Sequence, residues 1–421
     1  MIFNISLYLS LIIFSLGLIF KISTWFRYNF ELTTQPFTAR ERFFAAMGGI
    51  VATLFSGKVL ILLKSLLLDV FCQRRIMRES RLRWVMHMCM FWGFSLLLLM
   101  HALEGMLTSN LFRDYAATLN PFLFLRNFFA LLVFVGVGIA FYRRFVQKAP
   151  RFSTNVMDRY ALILLAVIMI SGLFLEAAKI VSFERYSRMV TDYADFDEEQ
   201  DLKALEALWV KDFGVVSPNL TPPFDKELLT RGHELHEMNC AACHSRPQWA
   251  FISYGAATIL RPAALPLDRS GLVTLLWTIH FLTCFVGLAY LPFSRLFHIL
   301  ATPLNLLINS VMEKGKSHPA NIITLQMMAL DACTHCGSCT SRCSLAVVFE
   351  EIPNPNILPS EKITSLKALA SGKPLNEHQI TVIQEGLYLC TNCYRCTTVC
   401  PAGINLQELW FDVREAVLKR G

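Results

Sequence analysis

Residues 84–103, WVMHMCMFWGFSLLLLMHAL, form a run of twenty residues without a lysine, arginine, aspartate or glutamate. A helix of about twenty apolar residues is long enough to cross the hydrocarbon core of a bilayer. The run nevertheless contains His87 and His101, although polar side chains are costly in hydrocarbon. It therefore predicts a membrane-spanning helix whose histidines have a function.

Four further apolar runs predict four more spanning helices, which makes about five in all. They cover residues 2–20, 121–141 and 160–180 and a long helix from Gly271 to beyond His298. The composition agrees, because 54% of the 421 residues are hydrophobic and the mean hydropathy is +0.45. The first run has neither a basic segment before it nor a small-residue cleavage site, so it predicts an anchor and not a removable signal peptide.

One apolar stretch, residues 47–70, is interrupted by glycines and by the charged residues Lys58, Lys64 and Asp69. Such charges suit a helix that lies at the membrane surface better than one that crosses the membrane. We therefore expect an interfacial helix here, with a sixth span as the alternative.

The charges of the loops predict the orientation of the spans. Lysine and arginine are enriched in cytoplasmic loops, and they crowd the segment just before Trp84. Counting spans from that segment places residues 181–269 outside the cell and the segment from Arg295 to Lys316 inside. These cytoplasmic loops account for much of the net charge of +7, so the charge does not indicate a nucleic-acid partner.

The external segment contains a motif for the covalent attachment of haem c. Residues 231–246, RGHELHEMNCAACHSR, predict a short helix followed by C-x-x-C-H at Cys240, Cys243 and His244. In such a motif the two cysteines form thioethers with the haem and the histidine is the proximal iron ligand. The alternative is a small disulfide between the two cysteines. The distal ligand stays open among four candidates: Met189, His233, His236 and Met238.

The histidines of two spanning runs predict two haems b. His87 and His101 lie 14 residues apart, and His280 and His298 lie 18 residues apart. At about 100° per residue, each pair falls on one face of its helix. Because the two helices are antiparallel, we expect His87 to pair with His298 and His101 to pair with His280, each pair around one haem b. Pro292 is expected to kink the second helix between its histidines.

Two cysteine runs with the spacing C-x2-C-x2-C-x3-C predict two [4Fe-4S] clusters. They are Cys333, Cys336, Cys339 and Cys343, and Cys390, Cys393, Cys396 and Cys400. In two-cluster ferredoxins the fourth cysteine of each run binds the other cluster, so we expect Cys400 to join the first group and Cys343 to join the second. A pair of zinc sites is the alternative interpretation. Disulfides are less compatible with the cytoplasmic location that the topology predicts.

The residues between the two cysteine runs favour helices packed around the clusters over a compact ferredoxin of two hairpins. No phosphate-binding glycine loop or nucleotide fingerprint occurs in the sequence, so bond-making catalysis is expected to belong to another subunit. The acidic run at 192–201 predicts a solvated surface, with docking of an external basic cytochrome c as the alternative.

Two short segments carry a resemblance to a known family. Residues 292–298, PFSRLFH, and residues 83–87, RWVMH, are similar to the membrane cytochrome b (gamma) subunit of respiratory nitrate reductase and its relatives in heterodisulfide reductase. The likeness covers about 1–309 without the external insert. The part that follows resembles the helical ferredoxin subunit of heterodisulfide reductase and the cluster-bearing region of succinate dehydrogenase.

The resemblance implies a place in a bacterial or archaeal cytoplasmic membrane. It also implies exchange of electrons with a quinone such as menaquinone, and a cytoplasmic catalytic subunit of heterodisulfide-reductase type as the partner. The chain departs from this family by fusing modules that are often separate and by inserting the haem c segment.

Together these patterns predict an all-α protein that transfers electrons across the membrane. We expect a transmembrane cytochrome b part at 1–180, the external haem c insert at 181–269, the last transmembrane helix at 270–309 and a cytoplasmic dicluster ferredoxin domain at 310–421. The alternative function is a membrane scaffold or sensor with structural metal sites.

Overall fold

The structure is a computed structural model that describes residues 1–30, 37–147, 156–194, 196 and 198–418. These residues form helices and turns and no β-strand, which confirms the all-α fold. Some residues used in the sequence-based predictions lie outside the described residues: Lys148 and Arg151 of a basic loop, and Asp195 and Asp197 of the acidic run.

The longer helices can be numbered in chain order. They are α1 (Ile2–Arg27), α2 (Ala39–Leu54), α3 (Val59–Phe71), α4 (Arg81–Ala102), α5 (Phe122–Val146), α6 (Val156–Val181), α7 (Phe183–Tyr193), α8 (Glu199–Leu208), α9 (Lys226–Asn239), α10 (Phe251–Leu260), α11 (Leu272–Tyr290), α12 (His298–Val311), α13 (Pro319–Ala332), α14 (Pro359–Ala370), α15 (Glu377–Tyr388) and α16 (Leu406–Leu418).

Five of these helices are long and apolar enough to cross a membrane by length and composition: α1, α4, α5, α6 and α11. The prediction of about five spans is confirmed. Many of their apolar side chains are exposed, including Ile12, Leu16 and Ile170, as expected of helices whose outer surface contacts lipid.

Helices α2 and α3 replace the single interfacial helix expected at 47–70. They are bent by 95° at a short break after Leu54, so the expectation of one helix was wrong. The two together are apolar enough to form either a broken span or a re-entrant loop. Helix α2 starts with a capping box, in which Thr38 Oγ1 accepts the N–H of Glu41 and the Glu41 carboxylate accepts the N–H of Thr38.

The long helix expected from Gly271 to beyond His298 is two helices. Helix α11 ends at Tyr290, Pro292 lies in the following turn, and Ser294 has an extended backbone with ψ 175°. The Ser294 hydroxyl then accepts the N–H of Leu296 at 3.1 Å, which starts a new turn, and α12 begins at His298. The prediction that His280 and His298 share one helix is therefore wrong, because the chain terminates the helix at Pro292 instead of kinking it.

The chain divides into two compact units. The first consists of Met1–Trp84, Gln147–Ala161 and Gly287–Gly421, and the second of Val85–Val146 and Leu162–Val286. The first unit contains both cysteine runs, and the second contains the C-x-x-C-H motif.

A core of the first unit joins the carboxyl end of α1 to the helices around the cysteine runs. Trp25 and Phe297 pack in the same apolar cluster as Leu330, Leu387 and Trp410. Polar contacts converge on Asp331, the next-to-last residue of α13. Its carboxylate accepts the indole N–H of Trp25 at 2.9 Å and pairs with the ammonium of Lys21 at 3.0 Å. The inner end of α1 is therefore fixed to the cysteine-containing module.

The core of the second unit's insert lies between α7, α8 and α9. Tyr186, Leu205, Trp209 and Leu235 are buried in it together with Cys240. Helix α9 approaches α8 very closely at Gly232, where a Cβ atom would lie 2.3 Å from the carbonyl oxygen of Ala204. This helix carries the C-x-x-C-H motif at its carboxyl end, so its packing sets the position of the motif.

Candidate functional site

The first cysteine group gathers at the carboxyl end of α13. Cys333 follows the helix directly, and burial raises the pKa of its thiol to about 11. Burial also raises the pKa of Cys400 to about 12, and the neighbouring thiols Cys336 and Cys333 add to this shift. The thiol of Cys339 is influenced in the same way by Cys333, Cys336 and Cys400. The structure thus brings Cys400 to the three cysteines with which the spacing grouped it.

Cys336 has the opposite pKa shift. Burial raises its pKa, but the guanidinium of Arg83 and the backbone N–H of Ser338 outweigh burial and leave the pKa at about 7. Arg83 also donates a hydrogen bond to the hydroxyl of Ser338. A thiolate, not a thiol, is the form of cysteine that binds a metal, so these donors favour the ligand form of Cys336.

The second cysteine group lines a cavity of about 380 Å³ that is partly open to solvent. Cys343, Cys390, Cys393 and Cys396 all belong to its wall. Burial raises the pKa of the Cys343 thiol, and Cys390 and Cys393 contribute to the shift. Cys343 therefore lies with the second run and not with its own run, as the spacing predicts.

The two cysteine loops have the same backbone pattern. His335 and Gly337 have φ values of 53° and 78°, and Asn392 and Tyr394, at the equivalent places of the second run, have values of 54° and 65°. Left-handed backbone is unfavourable for residues other than glycine and persists where the surroundings require it. Here it turns each loop so that the cysteine side chains converge.

The donor set of each group fits an iron–sulfur cluster, because it consists of four thiols in a cysteine-rich loop and a distant fourth cysteine. Among the described residues, no three His, Cys, Asp or Glu side chains converge as the ligands of one metal ion do. In a cubane, each thiolate binds a different iron atom, so the four sulfur atoms lie farther apart than the ligands of a single ion.

His101 and His280 face each other in the second unit. Their ring centres are 6.2 Å apart, and the ring planes are inclined by 47°. Bonds between a metal and an imidazole nitrogen are about 2 Å long, so two imidazoles that bind one metal from opposite sides have ring centres about 6 Å apart. The distance between the two rings thus fits a metal bound between them.

Neighbouring groups determine the tautomer of His280. Its Nδ1 lies 3.1 Å from the carbonyl oxygen of Ile168 and 3.1 Å from the hydroxyl of Ser171. A carbonyl oxygen only accepts, so Nδ1 carries the proton and Nε2 keeps its lone pair for a metal. Gly172 leaves space for this ring, since a Cβ atom there would lie 3.0 Å from Cε1 of His280.

His298 has the same arrangement at the start of α12. Its Nδ1 lies 2.7 Å from the carbonyl oxygen of Arg295, which leaves Nε2 available as a ligand. His87 belongs to the second unit and His298 to the first, so the pairing of these two histidines stays a prediction.

The C-x-x-C-H segment is held against the loop that follows α4. The Thr118 hydroxyl donates to the carbonyl oxygen of Cys243 at 2.6 Å, and the N–H of Ser245 donates to the carbonyl oxygen of Thr118 at 3.0 Å. In the same loop, the Tyr115 hydroxyl donates to the carbonyl oxygen of Met100, the residue before His101. The motif and the histidine pair are thus connected through one loop.

The structure separates the four candidates for the distal ligand. His236 is buried, its Nδ1 atom has no hydrogen-bond partner among the described residues, and its ring lies 5.9 Å from Trp209. The ring of His244 contacts the same indole at 5.5 Å. In contrast, His233 lies 3.8 Å from the carboxylate of Asp212, and 67% of Met238 is exposed. Met189 packs at the edge of the apolar core.

Some residues of these sites have no sequence pattern that would identify them. Gly172 lies on α6, which contains no histidine, and Thr118 lies in a loop far from the cysteines in sequence. Gly93, for which contact with a haem and contact with a helix were equally plausible, packs against α5. A Cβ atom there would lie 2.8 Å from the carbonyl oxygen of Phe129.

Two parts of the chain match known families. Residues 63–200 match HdrE, a family of membrane components of dihydromethanophenazine:CoB–CoM heterodisulfide reductase. Residues 329–404 match a 4Fe-4S dicluster domain. The chain therefore contains an HdrE-like membrane domain and a domain for 4Fe-4S clusters. No solved structure matches the chain with significance.

Relatives of known function agree with this division. One component of the dihydromethanophenazine:CoB–CoM heterodisulfide reductase of Methanosarcina acetivorans is 31% identical over 112 residues, 24% of this chain and 27% of the relative. The HdrE protein of Methanosarcina thermophila is 29% identical over 126 residues, 26% of this chain and 44% of the relative. EtfAB:quinone oxidoreductase from Syntrophomonas wolfei is 22% identical over 383 residues, 79% of this chain and 45% of the relative.

The chain spans between about a quarter and a half of the length of these relatives. With its five apolar helices, it is a multi-pass membrane protein similar to the electron-transfer subunits of heterodisulfide reductase. The broad expectation of a membrane redox protein with iron–sulfur clusters is thereby confirmed.

Proposed function

We propose that the protein conducts electrons across a bacterial or archaeal cytoplasmic membrane through one haem c, two haems b and two [4Fe-4S] clusters. The haem c segment lies outside and the iron–sulfur domain in the cytoplasm. The chain supplies the ligands and positions these groups, which carry the electrons when they are bound.

The observation that carries this proposal is the facing pair His101 and His280. Their ring separation of 6.2 Å suits a bis-histidine haem b, and the Ile168 carbonyl holds His280 in the tautomer that such a ligand needs. A pair of histidines that only packed would not require the space that Gly172 leaves beside the ring. We assign the other haem b to His87 and His298.

Haem c is proposed to be attached at Cys240 and Cys243, with His244 as proximal ligand. The contacts from Thr118 to Cys243 and from Tyr115 to Met100 support electron transfer between haem c and the haem b of His101. Short, hydrogen-bonded connections hold the two sites at a constant separation. His236 is the distal-ligand candidate whose burial and contacts suit the role best.

The clusters are proposed to be held by two sets of cysteines. One set is Cys333, Cys336, Cys339 and Cys400, and the other is Cys343, Cys390, Cys393 and Cys396. Helix α4 supports the link with the membrane part, because Arg83 at its start contacts Ser338 beside Cys336, whereas its last turn contains His101. One helix thus begins at a cluster site and ends at a haem site.

The proposed partner is a cytoplasmic catalytic subunit of heterodisulfide-reductase type. The similarity of the dicluster domain to part of the Methanosarcina acetivorans reductase component supports this, since the remainder of that relative has no counterpart in the aligned region of the chain. Exchange with a membrane quinone, such as menaquinone, is supported by the relative named EtfAB:quinone oxidoreductase. An external cytochrome c would be the partner of the haem c segment.

Cofactor analysis of the purified protein tests this function. We expect two extractable haems b for each covalently bound haem, and iron and acid-labile sulfide that match two [4Fe-4S] clusters. The double variant Cys240→Ala/Cys243→Ala should lose the haem stain of the denatured band, whereas Cys72→Ala, a change at an exposed free cysteine, should keep it. Zinc in place of iron, with no haem, would instead support the scaffold or sensor function.

A further inference from the structure

Lys362 is an unusual residue of the cysteine-rich module. It lies on α14, none of its surface is exposed, and its ammonium group has no hydrogen-bond partner among the described residues. Its Nζ lies 4.8 Å from the centre of the Trp410 ring. Burial of an ammonium group is costly unless an opposite charge accompanies it, so a buried lysine in this condition indicates a negatively charged neighbour that is bound there.

The surroundings of Lys362 indicate what that neighbour is. Lys362 and Trp410 line the same cavity as the four cysteines of the second group. The groups with which the lysine charge interacts favourably are the thiols of Cys390, Cys343 and Cys396. Trp410 is also fully buried, and its indole Nε1 has no hydrogen-bond partner among the described residues. A cation and an N–H donor thus face one cavity that is walled by thiols.

The first cysteine group is supplied differently. Its nearest cation is Arg83, which is only half-buried and uses its guanidinium to bind the Ser338 hydroxyl beside Cys336. The ammonium of Lys362 has no comparable hydrogen bond, so its field acts undivided on the second cavity. In a buried environment of low dielectric constant, such a charge has a large effect on a group nearby.

We propose that Lys362 is a positioning residue that raises the reduction potential of the [4Fe-4S] cluster bound by Cys343, Cys390, Cys393 and Cys396. This inference rests on the proposed function, which assigns a cluster to these cysteines. In the step concerned, the cluster gains one electron from the neighbouring cluster of the first group. No bond forms or breaks and no proton moves. The ammonium stabilises the more negative reduced form more than the oxidised form, so the second cluster becomes the better electron acceptor.

A redox titration followed by electron paramagnetic resonance tests the inference on the whole protein. Lys362→Met keeps the length of the side chain and removes the charge. At the potential that half-reduces the second cluster of the wild type, the ratio of reduced to oxidised cluster should fall at least about tenfold, equivalent to about 59 mV for one electron. The first cluster should titrate as in the wild type. Lys362→Arg, which keeps the charge, should change the ratio less than about threefold.

Lys373→Met is the matched control, because Lys373 is exposed and close to the end of the same helix. It should leave both titrations unchanged. Iron content is measured on every variant. A Lys362→Met protein that holds both clusters and titrates like the wild type would overturn the inference, whereas a wild-type protein without a second cluster would overturn the assignment on which it rests.

Loss of the second cluster from Lys362→Met would move the comparison to the wild type and Lys362→Arg, both labelled with ¹⁵N-lysine. Pulsed resonance on the reduced second cluster should then show coupling to lysine nitrogen in the wild type and none in Lys362→Arg. The absence of such coupling in the wild type would contradict the proposed position of the ammonium.

Discussion

The two ring nitrogens of His280 have different tasks, and this difference decides what the residue can do. Nδ1 donates its proton to the carbonyl oxygen of Ile168, so the imidazole cannot rotate freely and Nε2 points to a ligand. The 6.2 Å between its ring and that of His101 then makes the pair suited to one iron. Burial of a polar ring in the membrane is offset by these interactions.

Replacement of His280 by alanine should remove the haem b of the second unit and largely spare the other haem b. The reason is that each iron needs two imidazoles, and His280 belongs to one pair alone. His101→Ala should give the same spectrum. Optical and low-temperature paramagnetic resonance spectra of purified protein measure the two low-spin signals. His378→Ala, at an exposed position of the iron–sulfur module, is the control and should keep both. Loss of both haems b from each single variant would contradict the pairing.

Gly172→Ala tests the space beside the same ring. The new methyl group would lie 3.0 Å from Cε1 of His280, closer than side-chain carbons normally approach, so the imidazole should be displaced from the iron. We expect a reduced content of low-spin haem b, in the order of a half, with a matching high-spin signal. Gly138→Ala is the matched helix glycine control, because a Cβ atom there meets no described atom within 4 Å. Equal spectra for the two variants would show that Gly172 is not needed for this site.

At the scale of the elements, the sequence predicts a helix where a long run of one type decides the outcome. The five spans follow from apolar runs alone, because the bilayer demands length and hydrophobicity from each helix independently. The convergence of Cys400 and Cys343 with the opposite runs could also be predicted, since the x3 spacing turns the fourth thiol away from its own loop.

Breaks between elements could not be predicted in the same way. Proline either kinks a helix or ends it, and only tertiary packing decided that Pro292 lies in a turn before Ser294. Helix α4 widens to a π-helix at Leu98–Ala102, so the regular 100° step between His87 and His101 does not hold at its end. The partner of His101 was still predicted correctly as a neighbour, because the antiparallel order of the helices matters more than the azimuth.

Helix α9 depends on a close contact for its position, and Gly232→Ala should disturb it. The Cβ atom would lie 2.3 Å from the carbonyl oxygen of Ala204, and backbone cannot yield as a flexible side chain does. We expect a loss of about 1–3 kcal/mol in the stability of the insert and a weaker haem-stained band. Gly255→Ala, in α10 with no described atom near its Cβ, should have no such effect. Thermal melts of the purified protein, monitored by circular dichroism, measure the difference. Identical melts would mean that the insert can shift α9 without cost.

At the scale of the whole molecule, the topology predicted from loop charges and the location of the cofactor motifs are independent of each other. Charges place residues 181–269 outside, where haem c is attached, and place the cysteine runs in the cytoplasm, where iron–sulfur clusters are inserted. The contacts within each unit agree with this order, since Arg83 begins α4 beside Cys336, whereas the loop after α4 holds Cys243. The proposed conduit therefore has its two ends on opposite sides of the membrane.

Interruption of this conduit in the middle should isolate its ends. In His298→Ala or His87→Ala, the haem b next to the cytoplasm should be lost, while the cysteines of both runs still assemble their clusters. An external reductant poised low enough to reduce the clusters should then reduce haem c and the remaining haem b quickly. Reduction of the clusters should lag far behind the wild type, because electron transfer slows steeply when an intermediate centre is missing.

Rapid-freeze paramagnetic resonance follows the clusters in this experiment, and optical spectra follow the haems. His378→Ala again serves as the control, since its exposed side chain lies on the iron–sulfur module and should leave every rate unchanged. The variant must be shown to lack one haem b and to hold its full iron–sulfur content before its rates are compared. If its clusters are then reduced at the wild-type rate, electrons reach them without crossing the haem b of His87 and His298, and the transmembrane conduit is wrong.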